Sequence, residues 1–335
     1  MKPTIKDIAK AAGVSPSTVS RALHNNARIS ESVRARVQGI AKSMNFHPNQ
    51  MARSLVNRKT RIVGIVFPPD AGRSLGHPFY PAVLQGLGHV ASERRYHLLL
   101  GTGSEAVSSA ETVEQLVESG YVSGLIVLAA EDCPEEATSV PVVVIGRPLA
   151  PASCDSVDTD NVKAGYAAAR YLLERGHRRV AFIGYDKQYT VTTDRLKGYE
   201  KALGEAGLPL RADWVVSSRF LEHKTDTAQL SEIFGATDRP TAVVSMDDSL
   251  SIGLAGFLSS VSLTVPDDVS IFSFNNTEAG RYHNPPLTSL DVDPYQLGVH
   301  AMTLMLDRLK NRLDEPTHIE VPFTLVERQS VKALR

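Results

Sequence analysis

Residues 4–23 read TIKDIAKAAGVSPSTVSRAL, and this stretch sets the architecture of the first part of the chain. Thr4 can cap a helix whose apolar residues recur at helical spacing until Gly13 ends it. Ser15 can cap a second helix that has Pro16 at its first position, where the missing N–H costs nothing. Two short helices joined by a turn that contains glycine predict a helix-turn-helix unit.

A third helix, capped by Ser30, completes a predicted all-α head over residues 1–46. Residues 1–60 contain eleven Lys and Arg against two Asp and Glu, a net charge of +9, so the remaining residues carry −10 of the overall −1. A basic head on an acidic body is typical of a protein that binds nucleic acid with one part only. The helical pattern argues against a solvated basic tail, and a protein-binding head is the alternative.

In a helix-turn-helix unit bound to DNA, the second helix lies in the major groove. Pro16, Ser17 and Arg21 are predicted to reach the bases, Arg21 foremost because a guanidinium can bind O6 and N7 of guanine together. Thr18 and Ser20 are expected to meet phosphate or solvent. The candidate DNA-binding residues of the head are Thr4, Ser15, Pro16, Ser17, Thr18, Ser20, Arg21 and Asn25.

A break at residues 47–49, HPN, precedes residues 50–59, QMARSLVNRK, which are good helix formers with few apolar residues. Such a helix should fray when it stands alone. The run T-I-x-D-I-A-x-x-A-G-V-S-x-x-T-V-S-R-x-L, the segment H-P-N-x-x-A-R-x-L and the strand T-R-I-V-G-I-V-F-P together resemble the LacI/GalR repressor family.

The resemblance implies that residues 47–60 are a hinge that folds only on DNA, paired with its dimer mate in the minor groove. In the family a leucine of this hinge wedges between base steps, and the motif match places it at Leu55. Asn49 and Ala52 then lie on the DNA face of the hinge, and Arg53 is a further contact. The wedge is physically sensible because the added contacts of bent DNA offset the cost of unstacking.

From Arg61 onward, apolar runs alternate with helical patterns, and the alternation resumes after about residue 161. This predicts an α/β fold of two doubly wound parallel-sheet lobes, with a binding crevice between them. The resemblance covers essentially the whole chain and implies a periplasmic-binding-protein-like body, residues 61–335, with three crossovers. Lobe 1 then comprises about 61–160 and 293–325, and lobe 2 about 161–292 and 326–335.

Ligands of open α/β sheets bind beyond the carboxyl ends of the strands, so residues that follow predicted strands are candidates. Phe79 and Tyr80 can stack on a sugar face, with core packing as the alternative. The polar candidates after other strands are Arg147, Arg195, Asp247, Asp248, Asn275 and Asn276. Asp248 is expected to cap the next helix rather than to touch a ligand.

The resemblance supports Arg195 and Asn275 most, because they match the effector-contacting arginine of R-L-x-G-[YWF] and the Asp or Asn of [SG]-[FY]-[DN]-[DN]. Asp247 stands where other members carry Asn, and Arg147 stands where some carry Asp. These departures leave the identity of the ligand open. Phe220 is expected to close the cleft as an aromatic wall.

Asp, Asn and Arg groups beside an aromatic platform suit a neutral polyol, so a small sugar is expected. The runs HPFYPAVLQG, VVVIGRP, VDTDN, TDRLKGY and SFNN are similar to the maltose-operon regulator branch of the family, which implies maltose or a related α-glucoside. The chain is thus predicted to be a sugar-responsive repressor of sugar-utilisation genes. Release from DNA by the sugar is expected by analogy with sugar catabolism.

Three other functions compete with this one. The run GTGSEA at 101–106 fits a dinucleotide fingerprint, but it follows the second strand rather than the first. The acids after the next strand, Glu131 and Asp132, lie nearer 30 than 20 residues on, which argues against an enzyme. A secreted solute-binding protein would need a signal peptide in place of the basic head. A regulator of the same family that recognises a protein partner or a sugar phosphate stays open.

The remaining expectations concern partners and location. No stretch approaches 18 apolar residues and no Cys/His cluster has zinc spacing, so we expect a cytoplasmic protein without membrane contact, metal or cofactor. The two cysteines, Cys133 and Cys154, are expected to be free thiols. The final residues, ERQSVKALR, are too short for a tetramerisation helix, so a homodimer on pseudo-palindromic operator DNA is expected.

Overall fold

The computed structural model describes residues 3–23, 25–26, 28–46, 60–68, 75–102, 108–128, 139–148, 154–186, 189–217, 224–312 and 315–334, with the side chains of 224–227 excepted. Met1–Arg58 and Lys59–Arg335 form two separate compact units. The first unit contains three helices: α1 Ile5–Ala12, α2 Pro16–Leu23 and α3 Glu31–Ser43.

The caps of the head follow the sequence pattern with one exception. Thr4 forms a capping box with Asp7 at the start of α1, and Gly13 ends that helix at a φ of 63°. The Ser15 hydroxyl accepts a hydrogen bond from the Thr18 N–H at 3.2 Å, which caps α2. Ser30 is the N-cap residue of α3, as expected, but its side chain forms no capping hydrogen bond. The helices enclose a small apolar core that includes Ile8, Val19, Ala22 and Val37.

The second unit alternates strands and helices, as predicted from its apolar runs. Its first half has β1 Ile62–Val66, α4 Phe79–Glu93, β2 His97–Gly101, α5 Ser109–Glu118, β3 Gly124–Leu128, β4 Val142–Ile145 and β5 Asp155–Asp158. Its second half has α6 Asn161–Glu174, β6 Val180–Gly184, α7 Thr190–Glu205, β7 Val215–Ser217, α8 Lys224–Gly235, β8 Ala242–Ser245, α9 Asp248–Ser260, β9 Ser270–Phe274, α10 Glu278–Tyr282 and β10 Thr288–Asp291. The chain ends with α11 Pro294–Arg308, β11 His318–Glu320 and β12 Thr324–Val326.

The strands form two six-stranded sheets, one in each lobe. Lobe 1 has the order β11-β5-β4-β3-β1-β2, and lobe 2 has the order β12-β10-β9-β8-β6-β7. All pairings in lobe 1 are parallel, and in lobe 2 only the β10–β12 pair is antiparallel. Two doubly wound lobes beside a helical head confirm the predicted fold class.

Three segments connect the lobes: β5 to α6, β10 to α11, and β11 to β12. The last strand, Thr324–Val326, joins the sheet of lobe 2, so lobe 2 begins there a little before the expected residue 326. Next to each of the first two crossovers, a helix packs against its neighbour through two glycines. Gly165 and Gly198 join α6 to α7, and Gly86 and Gly298 join α4 to α11, where a Cβ would lie 2.0–2.2 Å from a backbone carbonyl oxygen.

Two further observations concern side chains and helices of the described part of the chain. Cys154 is buried and disulfide-bonded, so the expectation of free thiols is wrong. No helix among the described residues is both long and apolar enough to span a bilayer.

Candidate functional site

The exposed face of α2 carries most of the predicted DNA-binding residues of the head. Ser15, Pro16, Ser17, Arg21 and Asn25 are exposed, as is Thr4 at the start of α1, while Thr18 and Ser20 are half-buried. The hydroxyl of Ser15 lies 2.8 Å from that of Ser17 and 2.9 Å from that of Thr18, so hydroxyl groups cluster at the amino end of α2.

Arg21 and Asn25 differ in how far the head itself engages them. Among the described residues Arg21 forms no ion pair, so its guanidinium is available to an external acceptor. Asn25 instead accepts a hydrogen bond from Gln38 at 2.8 Å and adopts a φ of 53°. Asn25 therefore contributes to the turn after α2, while the contact of Arg21 with bases stays a prediction.

Five of the predicted site residues fall outside the described residues. They are Asn49, Ala52, Arg53 and Leu55 of the hinge, and Phe220 of the cleft. Their assignments stay predictions.

The two lobes meet through polar side chains at the carboxyl ends of their strands. Arg147, which follows β4 of lobe 1, forms a two-pronged ion pair with Asp194 of α7 in lobe 2, with Nη2 3.0 Å from Oδ1. His77, just before α4 of lobe 1, places Nε2 2.9 Å from Oδ2 of Asp247 in lobe 2. The cleft predicted between the lobes is therefore lined by charged groups from both sides.

Arg195 is the most enclosed cation of this cleft, with 4% of its surface exposed. Its Nε donates to Asn161 Oδ1 at 2.9 Å, and its Nη1 donates to the Met246 carbonyl oxygen at 2.7 Å. The guanidinium carbon lies 4.1 Å from the centre of the Phe274 ring. Desolvation lowers the pKa of Arg195 to about 10, and the nearby carboxylates of Asp158 and Asp247 oppose that shift.

Asp247 has two tasks in the structure. Its Oδ1 accepts a hydrogen bond from the Leu250 N–H at 2.8 Å and so caps α9. Its Oδ2 accepts hydrogen bonds from His77 and from the Tyr185 hydroxyl. Desolvation opposes ionisation, but the contacts with His77 and Tyr185 prevail and lower the pKa of Asp247.

The expectation that Asp248 caps α9 is wrong, because Asp247 does so. The Asp248 carboxylate is buried and accepts hydrogen bonds from Ser273 at 2.5 Å and from the Thr277 N–H at 2.6 Å. It therefore ties the start of α9 to the segment after β9, which includes Asn275 and Asn276.

The two asparagines after β9 have left-handed backbone conformations, with φ of 84° at Asn275 and 48° at Asn276. Asn276 donates to Asp291 at 2.8 Å and accepts from Arg328, so its amide is used within lobe 2. The Asn275 side chain is half-buried and hydrogen-bonds to no described residue. Asn275 is thus the better ligand candidate of the pair.

The predicted aromatic platform lies at the start of α4. Phe79 and Tyr80 are half-buried, pack edge to face with centroids 5.3 Å apart, and adjoin the core of lobe 1. Tyr80 also lies 5.9 Å from the ring of Phe67, just after β1. The two rings therefore pack against the core of lobe 1, as the alternative expected, and stacking on a sugar stays a prediction.

Five residues of the cleft were missed by the sequence argument: His77, Asp158, Tyr185, Asp194 and Lys197. Asp158 ends β5 and accepts hydrogen bonds from the Thr159 N–H at 2.8 Å and from Asn161 Nδ2 at 3.1 Å. Desolvation raises the pKa of Asp158 to about 6. Asp158 ends β5 and Tyr185 directly follows β6, and this position was the available signal. The roles of His77 and Asp194 depend on partners in the other lobe.

The charges of the cleft balance. Three cations, Arg147, Arg195 and Lys197, face three carboxylates, Asp158, Asp194 and Asp247. Such a set of residues offers many hydrogen-bonding groups but no net charge, which suits an uncharged polar ligand. No group of His, Cys, Asp and Glu that could hold a metal ion occurs among the described residues.

Comparisons with known proteins agree with both parts of this architecture. The family model of the bacterial regulatory proteins of the lacI family matches residues 4–49, and that of the periplasmic binding protein-like domain matches residues 169–331. The HTH-type transcriptional regulator MalR of Streptococcus pneumoniae serotype 4 is 36% identical over 317 residues, which cover 91% of this chain and 92% of that protein.

Solved structures share the fold along nearly the whole chain. A complex of the transcriptional regulator CelR with cellobiose is 26% identical with a TM-score of 0.74 and covers 98% of this chain and 99% of its own. A lac repressor dimer bound to operator and the anti-inducer ONPF is 21% identical with a TM-score of 0.84, and the match covers 99% of this chain and 100% of the other. The chain therefore belongs to the lacI family of bacterial regulatory proteins, which are DNA-binding transcriptional regulators and not enzymes.

Proposed function

We propose that the protein is a repressor of sugar-utilisation genes whose affinity for operator DNA is controlled by an uncharged sugar, maltose or a related α-glucoside. The observation that carries this is the cleft itself, where hydrogen-bonding groups of both lobes meet with balanced charge around Arg195. The likeness to MalR supports the choice of sugar, and the disaccharide in the CelR complex supports its size class.

The ligand would bind between the lobes and contact both. Phe79 and Tyr80 would supply apolar faces from lobe 1, while Arg195 and Asn275 would supply hydrogen bonds from lobe 2. Arg147 and Asp247 already bridge the lobes, so sugar hydroxyls that join or replace these bridges would change how the lobes close. A coupling of roughly 5- to 150-fold in operator affinity is usual for such linkage, and we propose that the sugar lowers the affinity.

Calorimetry with maltose, glucose, ribose and glucose 6-phosphate tests the ligand. Maltose is expected to bind the native chain and to lose most of its affinity in Arg195→Met, which removes a buried guanidinium and the positive charge that favours ionisation of Asp158. Arg170→Met is the control, because Arg170 is an exposed arginine of α6 that pairs with Glu174 on the surface of the same lobe. Heat with glucose 6-phosphate alone, or with no sugar at all, would instead favour control by a sugar phosphate or a protein partner.

Fluorescence anisotropy with a palindromic duplex tests the DNA-binding part. Arg21→Ala is expected to relax the preference at one base position by about 1–3 kcal/mol. Arg36→Ala removes the same charge from the exposed side of α3 and should weaken binding to all sequences alike. If Arg21→Ala and Arg36→Ala discriminate between operator sequences equally well, Arg21 does not contact the bases.

We further propose that the operator-binding form is a homodimer and that Leu55 wedges into the minor groove. Sedimentation of the free protein should give twice the chain mass of 36.3 kDa. Leu55→Ala should reduce DNA bending and specific binding together, while non-specific binding persists. A monomer at micromolar concentration, or unchanged bending in the variant, would contradict the respective proposal.

A further inference from the structure

We propose that Asp194 restricts the cleft to uncharged ligands, because its carboxylate neutralises the two cations that an anionic ligand would otherwise use. The inference rests on the proposed function, in which the cleft between the lobes is the ligand site. It concerns a residue that follows no strand and that the sequence argument did not select.

The geometry around Asp194 is that of a filled anion site. Arg147 binds it with both Nε and Nη2, and Lys197 places Nζ 3.1 Å from Oδ1. The Asp194 side chain is 7% exposed, whereas those of Arg147 and Lys197 are 39% and 61% exposed. The cations therefore face solvent while the anion that holds them is buried.

A phosphate or carboxylate of a ligand would compete for the same donors. The arginine fork binds carboxylate and phosphate oxygens with the same two-pronged geometry, so the Asp194 carboxylate occupies the position that an anionic substituent would take. Displacing it would leave a buried carboxylate without its cation partners, close to Asp158, whose pKa the charge of Asp194 helps to raise.

Asp194 thus repels an anionic ligand and also occupies the donors of Arg147 and Lys197 that such a ligand would use. A ligand that carries negative charge meets a carboxylate on α7 at the point where the two lobes close, while the hydroxyl groups of a neutral sugar can accept from or donate to the same atoms. Selection through a placed like charge is a general way to separate ligands of similar shape. Without the Asp194 charge, the cleft would hold three cations against two carboxylates.

Asp194→Asn is the decisive variant, because it keeps the size of the side chain and removes the charge. Calorimetry with glucose 6-phosphate and with inorganic phosphate should show a gain of about tenfold or more over the native chain, since charge-assisted hydrogen bonds are worth about 1.5–3 kcal/mol. The gain should shrink as NaCl is raised, because Lys197 is largely exposed.

Two further variants control the experiment. Asp213→Asn removes a carboxylate that Arg211 binds with the same two-pronged geometry, at 3.0 and 2.7 Å, on the surface of lobe 2, and it should gain no phosphate affinity. Arg147→Met combined with Asp194→Asn should lose the gain, because the fork is then absent. Thermal melting reports whether each variant folds, and Asp194→Ser serves in place of Asp194→Asn if that variant does not.

Each outcome decides one question. No gain in Asp194→Asn, an equal gain in Asp213→Asn, or a gain that persists without Arg147 overturns the assignment of Asp194. Tight glucose 6-phosphate binding by the native chain also overturns it. If the native chain binds neither maltose nor any other neutral sugar, the proposed ligand class fails, while the phosphate titrations of the variants still decide whether Asp194 excludes anions.

Discussion

The two lobes share a frame and differ in what they present to the cleft. In both, a crossover ends at an aspartate that caps the next helix, Asp160 before α6 and Asp293 before α11. In both, that helix packs against its neighbour through a pair of glycines. The neighbour in lobe 2, α7, carries Asp194 and Arg195, whereas the neighbour in lobe 1, α4, begins with two aromatic rings.

The features that the lobes share should determine their stability, and the features that differ should determine which ligand binds. The caps and the glycines set the distance between each crossover and the residues that face the ligand, and they do so alike in both lobes. The side chains on the packed helices differ, since lobe 2 contributes buried charge and lobe 1 contributes aromatic surface. Changes to the caps and glycines should therefore lower the free energy of unfolding in either lobe. Changes to the side chains of α4 and α7 that face the cleft should alter ligand binding.

The largest effect is expected from filling the glycine contacts. Gly198→Ala in lobe 2 would place a Cβ 2.0 Å from the Val162 carbonyl oxygen, and Gly86→Ala in lobe 1 would place one 2.1 Å from the Tyr295 carbonyl oxygen. Backbone atoms cannot turn aside as flexible side chains do, so each variant should lose about 3 kcal/mol of the free energy of unfolding. Urea denaturation followed by circular dichroism measures the loss.

Matched controls lie on the same two helices. A Cβ added at Gly204 of α7 or at Gly88 of α4 would meet no atom within 4 Å, so alanine there should raise helix stability by roughly 0.5–1 kcal/mol. The claim that the glycine contacts stabilise both lobes alike is wrong if only one of Gly198→Ala and Gly86→Ala is destabilised. It is also wrong if the contact variants and the control variants change the free energy of unfolding in the same direction.

The caps should give a smaller effect that distinguishes the lobes. Asp160 accepts a hydrogen bond from the Lys163 N–H at 2.8 Å with φ of −66°, and Asp293 accepts one from the Gln296 N–H at 3.1 Å with φ of 49°. Asp293→Ala should cost about 2 kcal/mol, because it removes the cap and leaves alanine in a left-handed conformation, whereas Asp160→Ala should cost about 1 kcal/mol.

Asp293→Asn is the variant that separates these two contributions. Asparagine can cap a helix and tolerates a left-handed backbone, so this variant should stay within a few tenths of a kcal/mol of the native chain. Guanidinium titration of the three variants side by side gives the comparison. Equal losses in Asp160→Ala and Asp293→Ala would show that the backbone conformation at the second crossover carries no cost.

The sequence predicted the frame well because buried parallel strands are continuous apolar runs. β3, GLIVL, and β4, VVVI, are fully buried and were identified by composition alone. β5, DSVD, was missed because it carries a carboxylate at each end. The first of these, Asp155, is buried against Arg308, a partner 153 residues away that no local pattern reveals.

The cleft could be predicted only where a residue follows a strand. Arg147, Asp247 and Asn275 lie within two residues of the end of a strand, and Arg195 was supported by a family motif. Asp194 lies beside Arg195 in sequence, but its role comes from Arg147 in the other lobe, 47 residues earlier. His77 similarly acquires its role from Asp247 across 170 residues, so only the folded chain shows that these two pairs join the lobes.

The smallest expected change in the free energy of unfolding concerns Asp158, the last residue of lobe 1 before the first crossover to lobe 2. Desolvation raises its pKa from 3.8 to about 6, and Arg195 and the hydrogen bonds from Thr159 and Asn161 limit the rise. Between these two values the folded state binds more protons than the unfolded state, so the contribution to stability is present at low pH and is lost as pH rises through about 6. From pH 5 to pH 7.5 the loss should be on the order of 1 kcal/mol.

Asp158→Asn should abolish this dependence, because the amide oxygen can still accept from the Thr159 N–H while the side chain no longer titrates. Urea denaturation of both proteins at pH 5, 6 and 7.5 gives the difference, in which the contributions of all other groups cancel to first order. The native chain should lose stability relative to the variant as pH rises. A difference that is flat, or that rises with pH, would mean that Asp158 is ionised throughout this range and that the positive charge of Arg195 outweighs burial at the first crossover.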